Sequence, residues 1–288
     1  MNDLLKLISK HSALPISTIS TLRPYTVERP INLHPDTDLI KHDKHVDKEY
    51  VVEDKLDLHE EYPFLLKADL EEYGYRDDEN FITDFNDGRG ISYSLKSLDQ
   101  RRAKIYLRGV LTGSYAEMDM DAECLVKIEA IEKEDYDALA LHEALAIEGY
   151  LLHQEGNYKL AFFMYFSAVE AIVRSIIDKV KQGCTEEEAN KLERSTLPEK
   201  VKVAGKHAFN TDKLISLPVW NDLTRLTKQC TADRNIIAHG LEGGSFSSED
   251  AEMAAACYIV VQQVLLNGVS TMPDIVNIYK PKKAKREN

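Results

Sequence analysis

The stretch YKLAFFMYFSAVEAIVRSIIDKVKQG, residues 158–183, decides the fold of this chain. Its apolar residues recur at intervals of three and four, the spacing of one face of an α-helix. The preceding stretch, YDALALHEALAIEGYLLHQEG (136–156), has the same spacing and ends at a Gly-Asn pair that favours a turn. Together they predict two helices packed against each other, the second more deeply buried.

Helical spacing continues to about residue 270. It predicts a surface helix at 185–195, a helix at 197–209 that begins with a proline, a fourth main helix at 218–240, and a last helix at 247–268 with Ser247 or Ser248 as its N-cap. Residues 131–275 are therefore expected to form an all-α bundle, and the basic residues 276–288 a disordered tail.

The N-terminal half has a different pattern. Residues 91–97 and 104–111, rich in tyrosine and β-branched residues, predict a hairpin of two strands, and 48–58 and 124–132 predict further strands. DFNDGRG (84–90) predicts a turn. Four prolines within residues 1–35 predict short extended pieces rather than long helices. The expected fold is α+β, with a β-rich domain at 1–130 that senses a trigger or selects a substrate.

Composition places the chain among soluble proteins. It has 288 residues, of which 43% are hydrophobic and 30% charged, as in ordinary globular domains. The stretches LAFFMYFSAVEAIV and CYIVVQQVLL are shorter than a membrane span. The first residues lack a basic segment followed by an apolar one, so no secretory signal is predicted. We expect a cytoplasmic protein that does not bind membranes.

The negative charge is concentrated in one segment. The net charge is −13, and residues 36–87 contain 18 acidic residues against 6 basic ones. The rest of the chain is close to neutral, so the overall acidity does not exclude a nucleic-acid partner, because the field at a site depends on local charge. One hypothesis is that this acidic stretch restrains activity by covering basic surface.

No metal or cofactor site is predicted. The cysteines Cys124, Cys184, Cys230 and Cys257 form no CxxC pair, which argues against a zinc site and against an export-type disulfide framework. His34, His42, His45 and His59 lie among many carboxylates, but their spacing matches no ligand motif.

One segment has the residue types of a phosphate-cleaving site. DRNIIAHG, residues 233–240, places Arg234 and His239 near the end of a predicted helix. Histidine suits proton transfer near neutral pH, and arginine offers a bidentate fork to phosphate oxygens. On an ideal helix the two lie about 140° apart, so they converge only if the helix loosens or a second subunit completes the site. The alternative is an ordinary helix end, where a histidine complements the dipole.

This helical half resembles the HEPN superfamily, whose members are small helical bundles with an R-x4-6-H motif. Asn235 matches the polar residue that often follows the arginine, and residues 144–177 resemble the family's opening helical hairpin. The resemblance covers about 135 residues, roughly half of the chain. The order of a β-rich domain before this bundle is similar, more loosely, to abortive-infection proteins of the ApeA kind.

The resemblance implies a metal-independent endoribonuclease whose site forms between two copies of the chain. His239 is then the general base or acid, Arg234 stabilises phosphate charge, and Asn235 orients substrate or histidine. Products would have 2′,3′-cyclic phosphate and 5′-hydroxyl ends. The implied partners are RNA, with transfer RNA among the candidates, a homodimer mate, and a trigger or antitoxin. The alternative is a HEPN module without catalysis that dimerises and binds RNA, a nucleotide or a protein.

Two further groups of residues are secondary candidates. Glu170 and Arg174 are supporting candidates on the buried helix, and we expect them to form an i,i+4 ion pair. Arg101, Arg102, Lys104 and Arg108, interleaved with tyrosines, are candidate nucleic-acid contacts. The competing interpretation, which we favour, is a solvated hairpin face paired with the acidic stretch.

Overall fold

The computed structural model of the protein describes residues 1–31, 49–77, 80–82, 91–112, 122–238 and 246–280. The chain divides into two compact units, one formed by Met1–Ile19 with Leu139–Asn288 and the other by Ser20–Ala138. The first is helical and is called the helical unit; the second contains the sheets and is called the β unit. The fold is α+β, as predicted.

The described strands of the β unit form two antiparallel sheets. The strands are β1 (Arg23–Ile31), β2 (Glu49–Asp57), β3 (Phe64–Asp77), β4 (Asn80–Ile82), β5 (Ile91–Asp99), β6 (Lys104–Thr112) and β7 (Ala122–Ile131). Sheet A has the order β1-β7-β3-β4, and sheet B the order β2-β6-β5. The predicted hairpin is confirmed as β5 and β6, which pair antiparallel. The acidic stretch supplies β2 and β3, so it is part of the core fold.

The core of the β unit is shared by both sheets. Alternate residues of β6, such as Ile105 and Leu107, belong to one buried cluster with Leu65 and Ala68 of β3, which share a face across a β-bulge. The intervening residues face outward, because successive side chains in a strand point to opposite faces. A Cβ at Gly109 would lie 2.6 Å from the ring of Tyr93, so this position of β6 requires glycine.

The described helices are α1 (Asn2–Lys10), α2 (Lys133–Asp137), α3 (Leu141–Gln154), α4 (Tyr158–Lys181), α5 (Glu186–Arg194), α6 (Leu197–Phe209), α7 (Trp220–Ala238), α8 (Ser248–Leu265) and α9 (Met272–Tyr279). α2 lies in the β unit and the others in the helical unit. The predicted bundle helices are confirmed from α4 to α8, with Ser247 as the N-cap of α8.

The helical unit is built around α4 and α8, which contact each other. Both are buried over most of their length, α8 almost continuously from Ala254 to Leu265. α3 packs on α4 through a small residue, since a Cβ at Gly149 would lie 2.9 Å from the ring of Tyr165. The predicted packing of these two helices is therefore confirmed.

Three boundaries differ from the predictions. The first residues form α1, with Leu4 and Ile8 buried, where prolines had predicted extended pieces; Pro15 lies after this helix and does not interrupt it. The segment 136–156 is divided between α2 and α3. α9 extends to the buried Tyr279, four residues into the predicted tail 276–288. Residues 281–288 and the predicted turn at 84–90 lie outside the described part of the chain.

Among the described residues, one helix, α4, is long and apolar enough to cross a membrane. The stretch LAFFMYFSAVEAIV, which alone is shorter than a membrane span, is only part of this 24-residue helix. More than half of its apolar window is buried inside the protein, as in the core helix of a soluble protein.

We predict that two buried tyrosines differ in their effect on stability. Tyr279 Oη accepts a hydrogen bond from Gln263 Nε2 at 3.0 Å, whereas Tyr165 Oη is buried with no partner among the described residues. Tyr279→Phe leaves a buried amide unpaired and should cost about 1–3 kcal/mol in the free energy of unfolding, and Tyr165→Phe should be near neutral or stabilising. Urea denaturation followed by circular dichroism measures both. Equal losses of unfolding free energy in the two variants would contradict the difference in hydrogen bonding between Tyr279 and Tyr165.

Candidate functional site

The candidate site lies at the carboxyl end of α7. The earlier turns of this helix bury Leu223, Leu226 and Cys230, and Trp220 covers Gly205 of α6, where a Cβ would meet the ring at 2.4 Å. From 231 to 237, however, no side chain is fully buried. α7 is thus anchored at its amino end and presents its last two turns on the surface of the helical unit.

Arg234 lies within these last two turns. The residue is half-buried, and its Nε is buried with no hydrogen-bond partner in the described part of the chain. A buried donor without a partner costs about 1–3 kcal/mol. An anionic oxygen that reached this atom would remove that cost and add a charge-assisted hydrogen bond.

The neighbours of Arg234 add polarity and acidity. Asn235 is exposed, as a substrate-contacting residue must be. Burial, and then the nearby Asp250 carboxylate at the start of α8, raise the pKa of Asp233 above its ordinary value. The start of α8 therefore lies close to the end of α7. The other half of the motif, His239, lies outside the described residues, so its approach to Arg234 stays a prediction.

Glu170 and Arg174 do not form the expected ion pair. Arg174 Nε lies 3.8 Å from Asp178, and its side chain is 79% exposed. Glu170 makes no hydrogen bond or ion pair with another described residue. The three occupy one row of α4 at i, i+4 and i+8, and an exposed pair contributes only a few tenths of a kcal/mol, so either neighbour can bind the arginine.

Both residues line a groove of about 360 Å³ between α4 and the junction of α5 with α6. Val173 and Ile177 contribute apolar lining, and Lys200 lines it as well. Arg234 is not among the lining residues. The structure thus brings the two supporting candidates together with each other but not into one cavity with Arg234.

The basic hairpin residues lie in the β unit and mostly face carboxylates. Lys104 Nζ lies 2.9 Å from Asp57, and Arg102 lies 3.9 Å from Asp99. The amine of Lys96 binds Glu53 at 2.7 Å, and this hydrogen bond lowers the pKa of the Glu53 carboxyl. Glu53 and Asp57 belong to the acidic stretch, so Lys96 and Lys104 are paired with it. Contact of the hairpin face with nucleic acid stays a prediction. Arg101 and Arg108 lie on the same hairpin.

The described residues contain no group of three metal-ligating side chains. Of the histidines considered for metal, His59 lies in the β unit, and His34, His42 and His45 lie outside the described residues. Burial raises the pKa of the Cys124 thiol to about 11. This thiol is therefore protonated at neutral pH and is not a nucleophile.

A polar cluster of His153, Ser248 and Glu252 joins α3 to α8. Sequence patterns did not indicate it. His153 Nε2 lies 3.0 Å from Ser248 Oγ, and Ser248 Oγ donates to Glu252 Oε1 at 3.1 Å. Since the only hydroxyl proton goes to Glu252, the imidazole must donate through Nε2. Its Nδ1 then has a lone pair and is buried without a described partner. The residues are 95 apart in sequence, so no local pattern could have joined them.

This cluster fixes the first turn of α8. Ser247 Oγ accepts from the Asp250 amide, and Asp250 accepts from the Ser247 amide at 2.8 Å, so a capping box reinforces the same turn. α8 begins shortly after the motif. The His153 cluster therefore determines where the chain returns to the bundle after DRNIIAHG.

No known protein family, curated protein or solved structure matches this chain.

We predict that His153 makes folding stability depend on pH. Burial lowers its pKa in the folded protein, and protonation would place a buried Nδ1–H donor without a partner. The unfolded chain, with a pKa near 6.5, then binds the proton first, so the folded state loses stability as pH falls below about 6.5. Thermal unfolding between about pH 7.5 and pH 5 measures this loss.

His153→Gln keeps an amide donor for Ser248 but does not titrate, so the dependence should become shallower. His11→Gln, at an exposed histidine, is the control and should follow the unmodified protein. A pH dependence in His153→Gln equal to that of the unmodified protein would show that His153 is not responsible.

Proposed function

We propose that this chain is a HEPN-type endoribonuclease that cuts RNA without a metal at the carboxyl end of α7. The observation that supports it best is Arg234, whose buried Nε has no partner among the described residues although the helix end around it is exposed. An arginine donor held in this state is prepared to bind an anion, and the phosphodiester is the anion that an adjacent histidine can help to cleave.

The proposed reaction is an internal transfer. The 2′-hydroxyl oxygen attacks the adjacent phosphorus, and the bond to the 5′-oxygen of the next nucleotide breaks. His239 takes the hydroxyl proton or supplies a proton to the leaving oxygen. Arg234 offsets the charge that develops on the phosphoryl oxygens, and Asn235 orients the substrate or the imidazole. The products are a 2′,3′-cyclic phosphate and a 5′-hydroxyl.

We infer that the active form is a homodimer through the helical unit. The separation of about 140° between Arg234 and His239 on an ideal helix is removed if each site combines residues of two copies. The described residues cover the last two turns of α7 only in part, and Ile236 there is 39% exposed. We further propose a cytoplasmic role in phage defence by abortive infection, or as a toxin, in which the β unit responds to a trigger or antitoxin.

A non-catalytic HEPN module is the second candidate. It is favoured by the groove that contains Glu170 and Arg174, because Arg234 is not part of it. In this alternative the groove holds a nucleotide or peptide, and the helix end of α7 serves only in dimerisation and RNA binding.

We predict that cleavage needs both motif residues and no metal. Purified protein is incubated with total RNA and with transfer RNA in EDTA, and the new ends are identified. Arg234→Ala and His239→Ala should each lower the rate by roughly 10²-fold or more, since both act on the transition state. The products of the unmodified protein should have cyclic phosphate ends.

Arg225→Ala is the matched control, because Arg225 is an exposed arginine of α7 paired with Asp222 at 3.0 Å. It should cut at the normal rate. Cleavage that persists in both motif variants would refute the assignment of the site. Binding of RNA without cleavage by any form, with the trigger supplied, would favour the non-catalytic module.

A further inference from the structure

The β unit is electrically polarised. Among the side chains that the structure describes, the outward face of sheet A has six carboxylates and two lysines, namely Glu28, Asp69, Glu71, Glu72, Glu123 and Glu129 with Lys67 and Lys127. On the same basis, the outward face of sheet B and its β5–β6 turn have six cations and three carboxylates, namely Lys55, Lys96, Arg101, Arg102, Lys104 and Arg108 with Glu53, Asp57 and Asp99. Within the described residues, carboxylates therefore predominate on sheet A and cations on sheet B.

The centre of the basic face is a row on β6. Lys104, Tyr106 and Arg108 alternate with the core residues Ile105 and Leu107, so they share the outward face. Successive members of such a row are about 7 Å apart. Tyr106 is half-buried, and its cross-strand neighbours are Lys55 and Ser97. A planar ring between two cations suits a base that stacks while its flanking phosphates bind the cations.

The existing ion pairs leave this face able to bind an anion. Arg108 lies opposite the exposed Glu53 in the strand register, and its charge helps to lower the pKa of the Glu53 carboxyl, after the hydrogen bond and charge of Lys96. Lys104 and Lys96 are paired, but with exposed carboxylates, and such surface pairs contribute at most about 1 kcal/mol. A phosphate chain that offers several contacts at once therefore competes with them.

The turn at the end of the row is held in a strained shape. Ala103 has φ +49 with its side chain fully buried, a conformation that costs a non-glycine residue free energy. The Arg102 amide donates to Asp99 Oδ1 at 3.0 Å, which fixes the turn. Arg101 and Arg102 are exposed there, beside a cleft of about 560 Å³ that Lys104 also lines. The row of cations thus continues beyond the strand end, although Asp57, Glu60 and Glu61 line the same cleft.

We infer that the outward face of sheet B binds single-stranded RNA through Tyr106, with Arg108, Lys55 and the two turn arginines on its phosphates. A single strand is favoured over an acidic protein because the row has an aromatic ring between its cations, and stacking is available to every base. The choice of RNA over DNA rests on the proposed function. The face itself is tested by binding alone.

Binding is measured by fluorescence anisotropy with a labelled 20-nucleotide RNA, using full-length protein with Arg234→Ala so that the probe is not cut. Tyr106→Ala should weaken binding roughly tenfold. Arg108→Glu should weaken it and lower the salt dependence by about one released counterion. Lys67→Glu and Lys127→Glu, the matched changes on sheet A, should leave the affinity within about twofold.

The binding measurements either support or overturn the RNA-binding face of sheet B. No binding at micromolar protein, or equal affinities in all four variants, overturns the inference. Displacement of the RNA by an equally charged poly-glutamate peptide at the same concentration also overturns it, in favour of an acidic protein partner. If the Tyr106 and Arg108 variants lose binding while the unmodified chain never cuts RNA, the proposed catalysis fails and this surface stands. If the unmodified chain cuts RNA but the Tyr106 and Arg108 variants bind it normally, the proposed catalysis stands and the RNA-binding surface on sheet B fails.

Discussion

The helical unit depends on the burial of one helix, α4. Its buried residues, which include Ala161, Phe162, Val169 and Ile176, lie on more than one side of the helix. A helix that is apolar over so much of its circumference must be covered by several neighbours. α3, α6 and α8 contact it and provide that cover. Gly149 allows α3 to approach the ring of Tyr165 closely, so the packing distance is fixed by a missing side chain.

The position of the candidate site follows from this arrangement. α8 is held on α4, and α7 is held on α8 by its amino-terminal half, where Leu223, Leu226 and Cys230 are buried. The remaining two turns have no partner element within the described chain that buries them. A rigid anchor followed by an exposed end is a common way to present functional side chains, since the anchor sets their position and the exposure admits a ligand.

The sequence predicted what depends on neighbouring residues. Apolar spacing located α4 to α8, alternation located β2, and tyrosine with β-branched residues located β5 and β6, because each of these patterns lies within a single element. Prolines misled the analysis only for the first residues, because Pro15 follows α1 and does not interrupt it. Pro24 and Pro30 lie in β1, an extended piece as predicted, and this edge strand tolerates the missing amides. The sequence analysis assigned the end of α9 to a disordered tail. Tyr279 is buried there, and its partner Gln263 lies 16 residues earlier in the chain.

What the sequence could not predict depends on which elements meet. His153 and Ser248 are joined only when α3 reaches the start of α8. The separation of acidic and basic faces in the β unit arises because the pleat alternates within each strand while sheet pairing decides which strands share a face. Glu53 and Lys96 come from segments with opposite net charge, and their ion pair exists because β2 and β5 both pair with β6.

The end of α7 is also where the helical unit departs from stable packing. Partial burial of Asp233, and then the like charge of Asp250, raise the pKa of the Asp233 carboxyl. The adjacent Arg234 has a buried donor without a described partner. Two unfavourable polar features in consecutive residues are unusual on a helix whose earlier turns are well packed.

Folds tend to tolerate such local conflicts where a ligand relieves them. An anion at Arg234 would satisfy its donor, and a proton or cation at Asp233 would relieve the repulsion. These energetics support the proposed site at the helix end independently of any family resemblance.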